Sequence, residues 1–382
     1  MKKLAIIITH PIQYYVPVFQ LLAKKCSLKV FYTWGDDVLK EKFDPGFEKV
    51  IKWDLPLLEG YDYQFLENTA KDKGSHHGKG IINPDITIAI EDFSPNAILI
   101  YGYIYHSHFK AMRYFKGKIP IWFRGDSTLL NEKLNFKSLV KWLYLKWIYS
   151  HVDKAFYVGT NNKLYFKRYG LHEHRLIFAP HAVDNARFGR INESEVDTFM
   201  QKLGIKKESD IVLLYAGKFE TVKNLVVLVK ALLTMNNLNL KLLLVGNGPE
   251  EQELKKLANN EQKILFIDFQ NQSFLPSIYH TSDIFCLPSN SETWGLAINE
   301  AMAAGKAIIA SDKVGCAIDL VKPGKNGFIF KSNSVKALTN ALQTLISDNK
   351  FASYGQMSSQ IINQWTFDKQ VEAILDELAK TN

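Results

Sequence analysis

The sequence predicts an α/β protein with two doubly wound parallel-sheet domains, and three observations lead to this fold class. The chain has 382 residues, enough for two domains that each bury a core. Short aliphatic and β-branched runs alternate with segments of helical periodicity, which is the pattern of βαβ units. Most of these runs are continuously apolar, as expected for parallel strands covered by helices on both faces.

Ten such runs are predicted as strands. They lie at residues 4–9, 28–32, 97–101, 120–123, 155–158, 211–216, 241–245, 264–267, 284–287 and 307–310. The predicted domains are 1–185 and 186–364, because a polar stretch follows the apolar residues 176–178. Residues 365–382 predict an amphipathic helix that packs back on the first domain. Residues 35–80, with several Gly and Pro and a polar run, predict a long insertion.

The composition is that of a soluble globular protein. It is 47% hydrophobic and 23% charged, which excludes a disordered or membrane-spanning chain. Cys26, Cys286 and Cys316 include no CxxC pair, which excludes a disulfide framework and a zinc ribbon and indicates a cytoplasmic protein. The opening apolar run at 4–9 is too short for a secretory signal peptide.

The net charge of +8 is unevenly distributed. Residues 1–190 carry 28 Lys and Arg against 18 Asp and Glu, a balance of +10, whereas residues 191–382 carry 19 against 21, a balance of −2. Of the 17 tyrosines, 14 also precede residue 192. The first half is therefore expected to meet an anionic and bulky or amphipathic partner.

Several common ligand sites are excluded by missing motifs. The first βα turn, residues 9–15, contains no glycine, so a conventional NAD or FAD site is not expected there. No GxxxxGK[ST] loop supports an ATPase. The sequence also lacks Asp-x-Asp, which predicts a reaction independent of a metal ion. The histidine pairs at 76–77, 106 and 108, and 172 and 174 have no carboxylate or cysteine at ligand spacing, so no metal site is expected.

The loops of the second half carry the candidate chemistry. Lys218 and Lys223 lie in a loop that opens a helix, a setting that suits a pyrophosphate, although two solvated lysines are the alternative. Gly246 begins a tight turn at the next helix start. Glu292 lies in a loop, and Glu300 follows within an apolar helix, where a carboxylate needs a partner such as vicinal hydroxyls. A local salt bridge explains either glutamate alone but not the whole set.

These motifs occur in the segments PHAVD, GKFETVKN, VGNGP and PSNSETWGLAINEAMAAGKAIIAS, and seven residues separate the two glutamates. With them, the chain resembles the retaining glycosyltransferase family 4 with the GT-B fold, most strongly across residues 178–345. The resemblance implies two Rossmann-like domains facing a central cleft, the first binding an acceptor and the second a nucleotide sugar. It implies a hexosyltransferase-type enzyme that uses a UDP- or GDP-sugar as substrate, without a further cofactor, and retains the anomeric configuration.

The resemblance also implies roles for individual residues. Four are expected to be catalytic: Lys218 in place of the usual arginine, Lys223, Glu292 on the donor sugar, and Asp126, where many members have a histidine. The expected donor-binding residues are Gly217, Gly246, Asp268, Phe269, Gln270, Gly295, Leu296, Ala297 and Glu300, the last of these on ribose hydroxyls. The expected acceptor-binding residues are His10, Tyr14, His106, His108 and Arg124.

A basic aromatic stretch at 134–147 admits two interpretations. Its apolar residues at helical spacing are Phe136, Leu139, Val140, Leu143 and Trp147, with lysines between them. As a membrane-surface helix, it would bring a peripheral enzyme to a lipid-linked acceptor at the inner face of the membrane. As a sheet-covering helix, it would pack a second stripe, Trp142, Leu145 and Tyr149, on a neighbour. The second interpretation is preferred, and it predicts that removal of Lys137 and Lys141 leaves liposome binding unchanged.

The predicted function is transfer of a sugar from a nucleotide sugar to a glycan or lipid-linked acceptor in surface polysaccharide biosynthesis, with no nucleic acid as partner. One alternative is a sugar-nucleotide epimerase or hydrolase on the same fold, which would consume donor without acceptor. Another is a nucleic-acid-binding protein that uses the basic half, but this gives no role to Glu292 and Glu300.

Overall fold

The computed structural model describes residues 1–36, 42–44, 46–132 and 135–381, which form two compact units. The first unit contains the described residues of 1–41, 56–181 and 367–382, and the second contains those of 42–55 and 182–366. Each unit is built on one parallel sheet with helices between the strands, which confirms the predicted α/β fold with two Rossmann-like parts.

The strands of the described residues are numbered in chain order. They are β1 (Lys3–Ile8), β2 (Ser27–Tyr32), β3 (Lys42–Asp44), β4 (Lys49–Ile51), β5 (Asp62–Phe65), β6 (Ala97–Tyr101), β7 (Ile121–Arg124), β8 (Lys154–Tyr157), β9 (Leu176–Phe178), β10 (Ile211–Ala216), β11 (Leu240–Val245), β12 (Ile264–Ile267), β13 (Ile284–Leu287), β14 (Ala307–Ser311) and β15 (Gly327–Phe330). Each predicted strand is present, with its ends within one residue of the prediction.

The helices are numbered in the same way. They are α1 (Val16–Ala23), α2 (Ile86–Phe93), α3 (His106–Phe115), α4 (Phe136–Tyr149), α5 (Thr160–Arg168), α6 (Asn185–Gly189), α7 (Glu193–Lys202), α8 (Leu225–Leu233), α9 (Glu251–Ala258), α10 (Leu275–His280), α11 (Leu296–Ala303), α12 (Ala317–Leu320), α13 (Val335–Asp348), α14 (Phe351–Ile362) and α15 (Phe367–Ala379). Short 3₁₀ turns occupy Glu173–Arg175 and Thr221–Lys223.

The strand order of both sheets reverses once. The first sheet has the order β5-β2-β1-β6-β7-β8-β9 and the second β12-β11-β10-β13-β14-β15. In the first, Ile6 of β1 lies opposite Val30 of β2 and Leu99 of β6. β10 takes the corresponding place in the second sheet, between β11 and β13. Ligands of doubly wound sheets bind at the carboxyl ends of the strands beside such a reversal, which we call the switch point.

The terminal helix α15 belongs to the first unit. Its Val371, Ile374 and Leu378 are buried in one cluster with Val18 and Leu22 of α1. These three residues are spaced as one face of a helix, so the amphipathic pattern in the sequence is the pattern that the core requires.

The hairpin of β3 and β4 belongs to the second unit, although the predicted boundary places all of 1–185 in the first. β3 and β4 pair antiparallel, with Lys42 opposite Ile51. The ring of Phe47 lies 4.9 Å from that of Phe269, and the ring of Trp53 lies 6.1 Å from it. These contacts join residues more than 200 positions apart, and no local pattern in the sequence announces them.

Helix α4 differs from the preferred interpretation of 134–147. The second stripe does pack, since Leu145 and Tyr149 are buried and Trp142 is partly buried against the same core. Ile148, which was not predicted for this stripe, is buried with them. The first stripe is exposed instead of covering the sheet, and Phe136 is 78% exposed. Within the described residues, no helix has both the length and the apolar character that crossing a bilayer requires.

Candidate functional site

The second switch point brings a lysine and a glutamate together. Lys223 ends the 3₁₀ turn after β10, and Glu292 lies in the loop after β13. Lys223 Nζ donates to Glu292 Oε2 at 2.5 Å, and both side chains are about one-fifth exposed. The backbone N–H of Glu292 donates to the Lys313 carbonyl at 3.1 Å, which holds the loop in place. Two residues that are 69 positions apart in the sequence therefore form one charged pair at the carboxyl edge.

Two glycines allow the neighbouring loops to touch. Gly217 follows β10 with a φ of +150°, and Gly246 follows β11 with a φ of +136°. A Cβ atom on Gly246 would lie 2.0 Å from the Gly217 carbonyl oxygen. A side chain at 246 would separate these loops, so both predicted glycines shape the site by the close approach that they permit.

The start of α11 supplies the predicted backbone donors. Gly295 precedes the helix with a φ of +103°, and Leu296 and Ala297 form its first turn. The first amides of a helix lack carbonyl partners within the helix, and together with the helix dipole they favour an anion. Trp294 is buried, and its Nε1 donates to Asn299 Oδ1 at 3.0 Å, which fixes this helix start.

Glu300 lies further along α11 and is held by a residue that the sequence analysis missed. The hydroxyl of Tyr279, on α10, donates to Glu300 Oε2 at 2.7 Å. Burial raises the pKa of Glu300 to about 7, while the Tyr279 hydrogen bond and the charge of Arg187 act against this rise. Arg187 is the second residue missed, since it lies on α6, and its Nη2 donates to Gln272 Oε1 at 2.9 Å. Both have ordinary sequence contexts that carry no functional signal.

The loops after β11 and β12 are joined by Asn247, which the sequence analysis also missed. Its Nδ2 donates to Asp268 Oδ1 at 2.9 Å, and its Oδ1 accepts the Phe269 N–H at 2.9 Å. Hydrogen bonds from Asn247 and Lys49 lower the pKa of Asp268. Gln270 Nε2 donates to the Asp268 carbonyl at 3.0 Å. The three residues predicted for base binding thus form one turn, fixed by its own polar groups.

A cavity of about 730 Å³ opens beside this turn. Asp268 and Gln270 line it, and Phe199, Phe266 and Phe274 supply aromatic walls. Its combination of apolar walls and a few polar groups is typical of small-molecule sites.

Lys218, the other lysine predicted for phosphate binding, is separately engaged. Its Nζ donates to Asp44 Oδ1 at 2.9 Å and to Oδ2 at 3.1 Å. Asp44 belongs to the β3–β4 hairpin. The carbonyl of Lys218 accepts the buried Tyr215 hydroxyl at 2.7 Å, so the backbone of the loop is fixed as well.

The first switch point contains two of the predicted acceptor residues in buried positions. Arg124 is 1% exposed, and its Nη1 and Nη2 donate to the carbonyls of Ala179 and Pro180 at 2.9 and 3.2 Å. His108 is fully buried, with Nδ1 on the Gly102 carbonyl at 3.0 Å and Nε2 on the Thr33 hydroxyl at 2.8 Å. Apart from Arg124 Nε, which is buried without a hydrogen-bond partner among the described residues, their polar nitrogens bind the fold itself, and this argues against the acceptor contacts predicted for them.

The other predicted residues of this edge are more accessible. His106 is exposed at the first position of α3, whereas His10, Tyr14 and Asp126 are half-buried in the loops after β1 and β7. The Thr9 hydroxyl bonds His10 Nδ1 at 2.8 Å. Of the residues predicted for this edge, these four keep some exposure to solvent and could be reached by a ligand.

Tyr15 and His181 complete this edge and were not predicted as site residues. Their rings stack at 5.7 Å, and the Tyr14 ring meets His181 edge-on at 5.5 Å. Burial, with the nearby charge of Arg124, lowers the pKa of His181 well below its usual range. Burial raises the pKa of Tyr15 well above its usual range. Both rings are therefore uncharged at neutral pH.

The carboxylate of Asp72 lies beside the histidine pair at 76–77, a contact that the sequence analysis did not predict. Asp72 Oδ2 lies 3.2 Å from His76 Nε2 and 3.1 Å from His77 Nε2. Spacings of four and five residues bring the three groups together in a loop. Exposed groups of this kind also occur without any ion, and the contacts fit an ordinary hydrogen-bonded cluster.

Comparison with known proteins identifies the segment that carries the second switch point. Residues 195–363 match the family model described as Glycosyl transferases group 1, which confirms the prediction of a glycosyltransferase domain. An uncharacterized glycosyltransferase of Haemophilus influenzae is 35% identical over 144 residues, 36% of this chain and 38% of that protein. The lipopolysaccharide 1,2-N-acetylglucosaminetransferase of Salmonella typhimurium is 27% identical over 180 residues, 44% of this chain and 47% of that protein. The chain thus spans less than half the length of these two relatives.

Solved structures share the fold over almost the whole chain. Anabaena HepE in complex with UDP aligns with a TM-score of 0.76 at 16% identity and covers 99% of this chain and 100% of its own. WaaG, a glycosyltransferase involved in lipopolysaccharide biosynthesis, aligns with a TM-score of 0.69 at 13% identity and the same coverage. At such identities the likeness concerns the fold alone.

Proposed function

We propose that this chain transfers a sugar from a nucleotide-sugar donor to a glycan or lipid-linked acceptor in surface polysaccharide biosynthesis. The observation that carries the proposal is the second switch point, where Lys223 pairs with Glu292 in the loop that precedes α11. The start of α11 and Glu300 belong to the same matched segment, 195–363. One glutamate paired with a cation and another in a partly apolar setting suit a ligand with both phosphates and hydroxyls.

The donor diphosphate is assigned to Lys218, Lys223 and the amides of 295–297. Two ammonium groups and a helix start provide positive charge, and both lysines are anchored by loops whose backbone is fixed. Glu300 is assigned to the ribose hydroxyls and Glu292 to the sugar. The base is placed near 268–270, beside the aromatic cavity. UDP- and GDP-sugars are the donors to test first.

The chemistry follows from this placement. The bond from the anomeric carbon to the leaving phosphate oxygen breaks, and a bond to the acceptor oxygen forms. The acceptor oxygen attacks on the face from which the phosphate leaves, which retains the configuration, and the acceptor proton passes to the leaving phosphate. Negative charge grows on that phosphate in the transition state, so Lys223 and the α11 amides stabilise the transition state more than the ground state. The proposal includes no metal, in keeping with the missing Asp-x-Asp.

The first unit is assigned to the acceptor. Its reachable side chains include His10, Tyr14 and His106, which offer rings and hydrogen-bonding groups that suit sugar hydroxyls and pyranose faces. Asp126 is the accessible carboxylate of this edge, and we assign it a contact with an acceptor hydroxyl.

The exposed face of α4 supports a peripheral position at an anionic membrane. Six apolar side chains on this face are exposed: Phe136, Leu139, Val140, Leu143, Tyr144 and Trp147. Lys137, Lys141 and Lys146 are exposed around them, and residues 135–152 contain no Asp or Glu. Apolar side chains flanked by lysines are typical of helices that lie in a lipid interface. The buried stripe of α4 still packs in the core with residues of the sheet, and the membrane interpretation is proposed for the exposed stripe.

Vesicles test the membrane contact. Sedimentation with phosphatidylcholine vesicles containing 30% phosphatidylglycerol is expected to capture the protein, and F136S/L143S should weaken capture about tenfold or more. The matched control is I88S/I104S, because Ile88 and Ile104 are exposed apolar residues elsewhere in the first unit. Equal binding by both variants, or capture unaffected by removing phosphatidylglycerol, would reject this assignment.

A nucleotide panel tests the donor assignment. One of UDP, GDP and ADP is expected to raise the unfolding midpoint, since a ligand that binds only the folded protein stabilises it. Glu300→Gln should abolish the shift, and the control Glu253→Gln on the exposed face of α9 should keep it. No shift with any nucleotide would count against the proposal. Rapid donor consumption without acceptor would favour an epimerase or hydrolase, and oligonucleotide binding that survives Glu300→Gln would favour a nucleic-acid-binding protein.

A further inference from the structure

The β3–β4 hairpin places a carboxylate on a lysine of the donor site. Asp44 contacts Lys218 Nζ with both carboxylate oxygens, at 2.9 and 3.1 Å. Asp44 Oδ1 also accepts the N–H groups of Gly46 and Phe47, at 2.8 and 3.2 Å. The carboxylate is therefore held by its own turn while it faces the lysine, which is more order than an incidental surface pair has.

The hairpin is anchored on all three loops that follow β10, β11 and β12. Gly46 lies beside the loops after β10 and β11, because a Cβ on Gly46 would fall 2.7 Å from Lys218 Nζ and one on Gly248 would fall 2.8 Å from the Gly46 carbonyl. Lys49 Nζ lies 3.3 Å from Asp268 Oδ2. Asp54 Oδ2 accepts the Ser273 N–H at 3.1 Å. The hairpin thus covers the loops assigned to the diphosphate and the base.

We propose that Asp44 is an internal occupant of the diphosphate site, and that donor binding replaces it on Lys218. This inference rests on the proposed function. A phosphate brought to Lys218 would stand beside the Asp44 carboxylate, and two like charges at such a distance repel each other. The hairpin therefore withdraws when the donor enters, and the ammonium group exchanges one anion for another.

The exchange sets the affinity for the donor. When only a fraction of molecules has the hairpin withdrawn, the apparent dissociation constant rises by the inverse of that fraction. Removing the charge of Asp44 destabilises the state in which the hairpin pairs with Lys218, and it changes no residue that is assigned to donor binding. The same experiment cannot be made on Lys223, because its partner Glu292 is itself assigned to the donor sugar and a change there would alter donor binding directly.

Calorimetric titration with UDP and with GDP tests the exchange. Asp44→Asn is expected to bind the preferred nucleotide about threefold to tenfold more tightly than the unaltered chain. Phe47→Ala removes an aromatic anchor of the hairpin and the ring that lies 5.1 Å from Lys218 Nζ, so it should shift affinity in the same direction. Asp197→Asn is the matched control, since Asp197 pairs with Lys207 at 3.2 Å on an exposed part of the same unit. It should leave the affinity unchanged.

A double-mutant cycle separates exchange from a general electrostatic effect. In a Lys218→Gln background, Asp44→Asn should give no gain, because there is no longer an ion pair to break. UDP or GDP should also speed amide exchange at residues 46–51 of the unaltered chain. Binding that Asp44→Asn weakens or leaves unchanged would overturn the exchange alone. Failure of every variant to bind either nucleotide would reject the donor assignment, and the exchange with it.

Discussion

The two switch points share a topology and differ in electrostatics. In the second unit, the edge carries charged side chains in pairs, Lys223 with Glu292 and Lys218 with Asp44, and both pairs are partly open to solvent. In the first unit, the guanidinium of Arg124 at the edge is buried against backbone carbonyls.

The buried histidine rings at the first edge are uncharged, unlike the paired side chains at the second edge. Burial lowers the pKa of His108 to about 4, and burial with the nearby charge of Arg124 lowers that of His181 well below its usual range. Both rings are therefore neutral at pH 7. The difference teaches that a doubly wound sheet fixes where a ligand binds, while the residues after each strand decide what kind of ligand it is.

The net charge of each half does not follow this division. The half with a balance of −2 holds the paired lysines of the candidate anion site. The half with a balance of +10 keeps much of its charge away from its own edge, for example on the exposed Lys137, Lys141 and Lys146 of α4. The net charge of a domain therefore indicates the charge of its binding site less well than the residues in the loops after the two central strands do.

The largest expected effect comes from breaking the charged edge. Lys223→Gln should lower the rate of sugar transfer by about 10²–10³-fold, because the leaving phosphate loses a fixed cation where its charge develops. Initial rates with saturating donor and acceptor measure the loss. Lys230→Gln is the control, since Lys230 lies on the exposed face of α8, and it should leave the rate unchanged. A rate for Lys223→Gln within threefold of that of the unaltered chain would show that the charge of Lys223 does not contribute to the chemical step.

The next effect concerns the buried guanidinium at the edge of the first sheet. Arg124→Met should lower the free energy of unfolding by about 3 kcal/mol, because two backbone carbonyls lose their buried donors. The urea midpoint measures this change. Arg113→Met, at an exposed position of α3, should shift it by less than about 0.5 kcal/mol. An unchanged midpoint for Arg124→Met together with lost acceptor use would restore Arg124 as a contact of the acceptor.

The sequence predicts the parts of this comparison that depend on local patterns. Continuously apolar runs locate ten strands, and the glycine and lysine motifs locate the loops after β10, β11 and β13. Gly246 is an example of such a motif, because the turn at this position has no room for a Cβ and therefore requires a glycine, which is visible in the sequence. Edge strands such as β5 and β15 were missed, since short, partly exposed strands have little hydrophobic pattern.

The remainder depends on contacts between distant residues. Asp44 reaches Lys218 across 174 positions, and Tyr279 reaches Glu300 from another helix. An aspartate in a loop and a tyrosine on a short helix have many other uses, so neither residue signals its partner. Burial is similarly hidden: His108 is indistinguishable in sequence from the exposed His106, and only the packing of α3 separates them.

The smallest expected effect is a difference in how the two units respond to acid. His108 has a pKa of about 4 in the fold, below its ordinary value, so the unfolded chain takes up a proton first as the pH falls. From pH 7 to pH 5 His108 alone should lower the stability of the first unit by about 2 kcal/mol, and His181, whose pKa is also lowered in the fold, acts in the same direction. Glu300 has a pKa of about 7 in the fold, above its ordinary value, so the folded chain takes up the proton first. Over the same interval it should stabilise the second unit by a similar amount.

Burial also lowers the pKa of His280 to about 4, which opposes Glu300 within the second unit, so the two contributions must be separated by a variant. Amide exchange of the slowest protons of β6 and of β13, at pH 7 and at pH 5, reports each unit by itself. With Glu300→Gln, acid should weaken the second unit more than it does in the unaltered chain, because the opposing contribution of His280 remains. The response of the first unit should stay the same. Equal acid responses of the second unit with and without Glu300→Gln would show that Glu300 is already ionised at neutral pH. The two switch points would then still carry different charges, but Glu300 would add nothing to the acid response of the second unit.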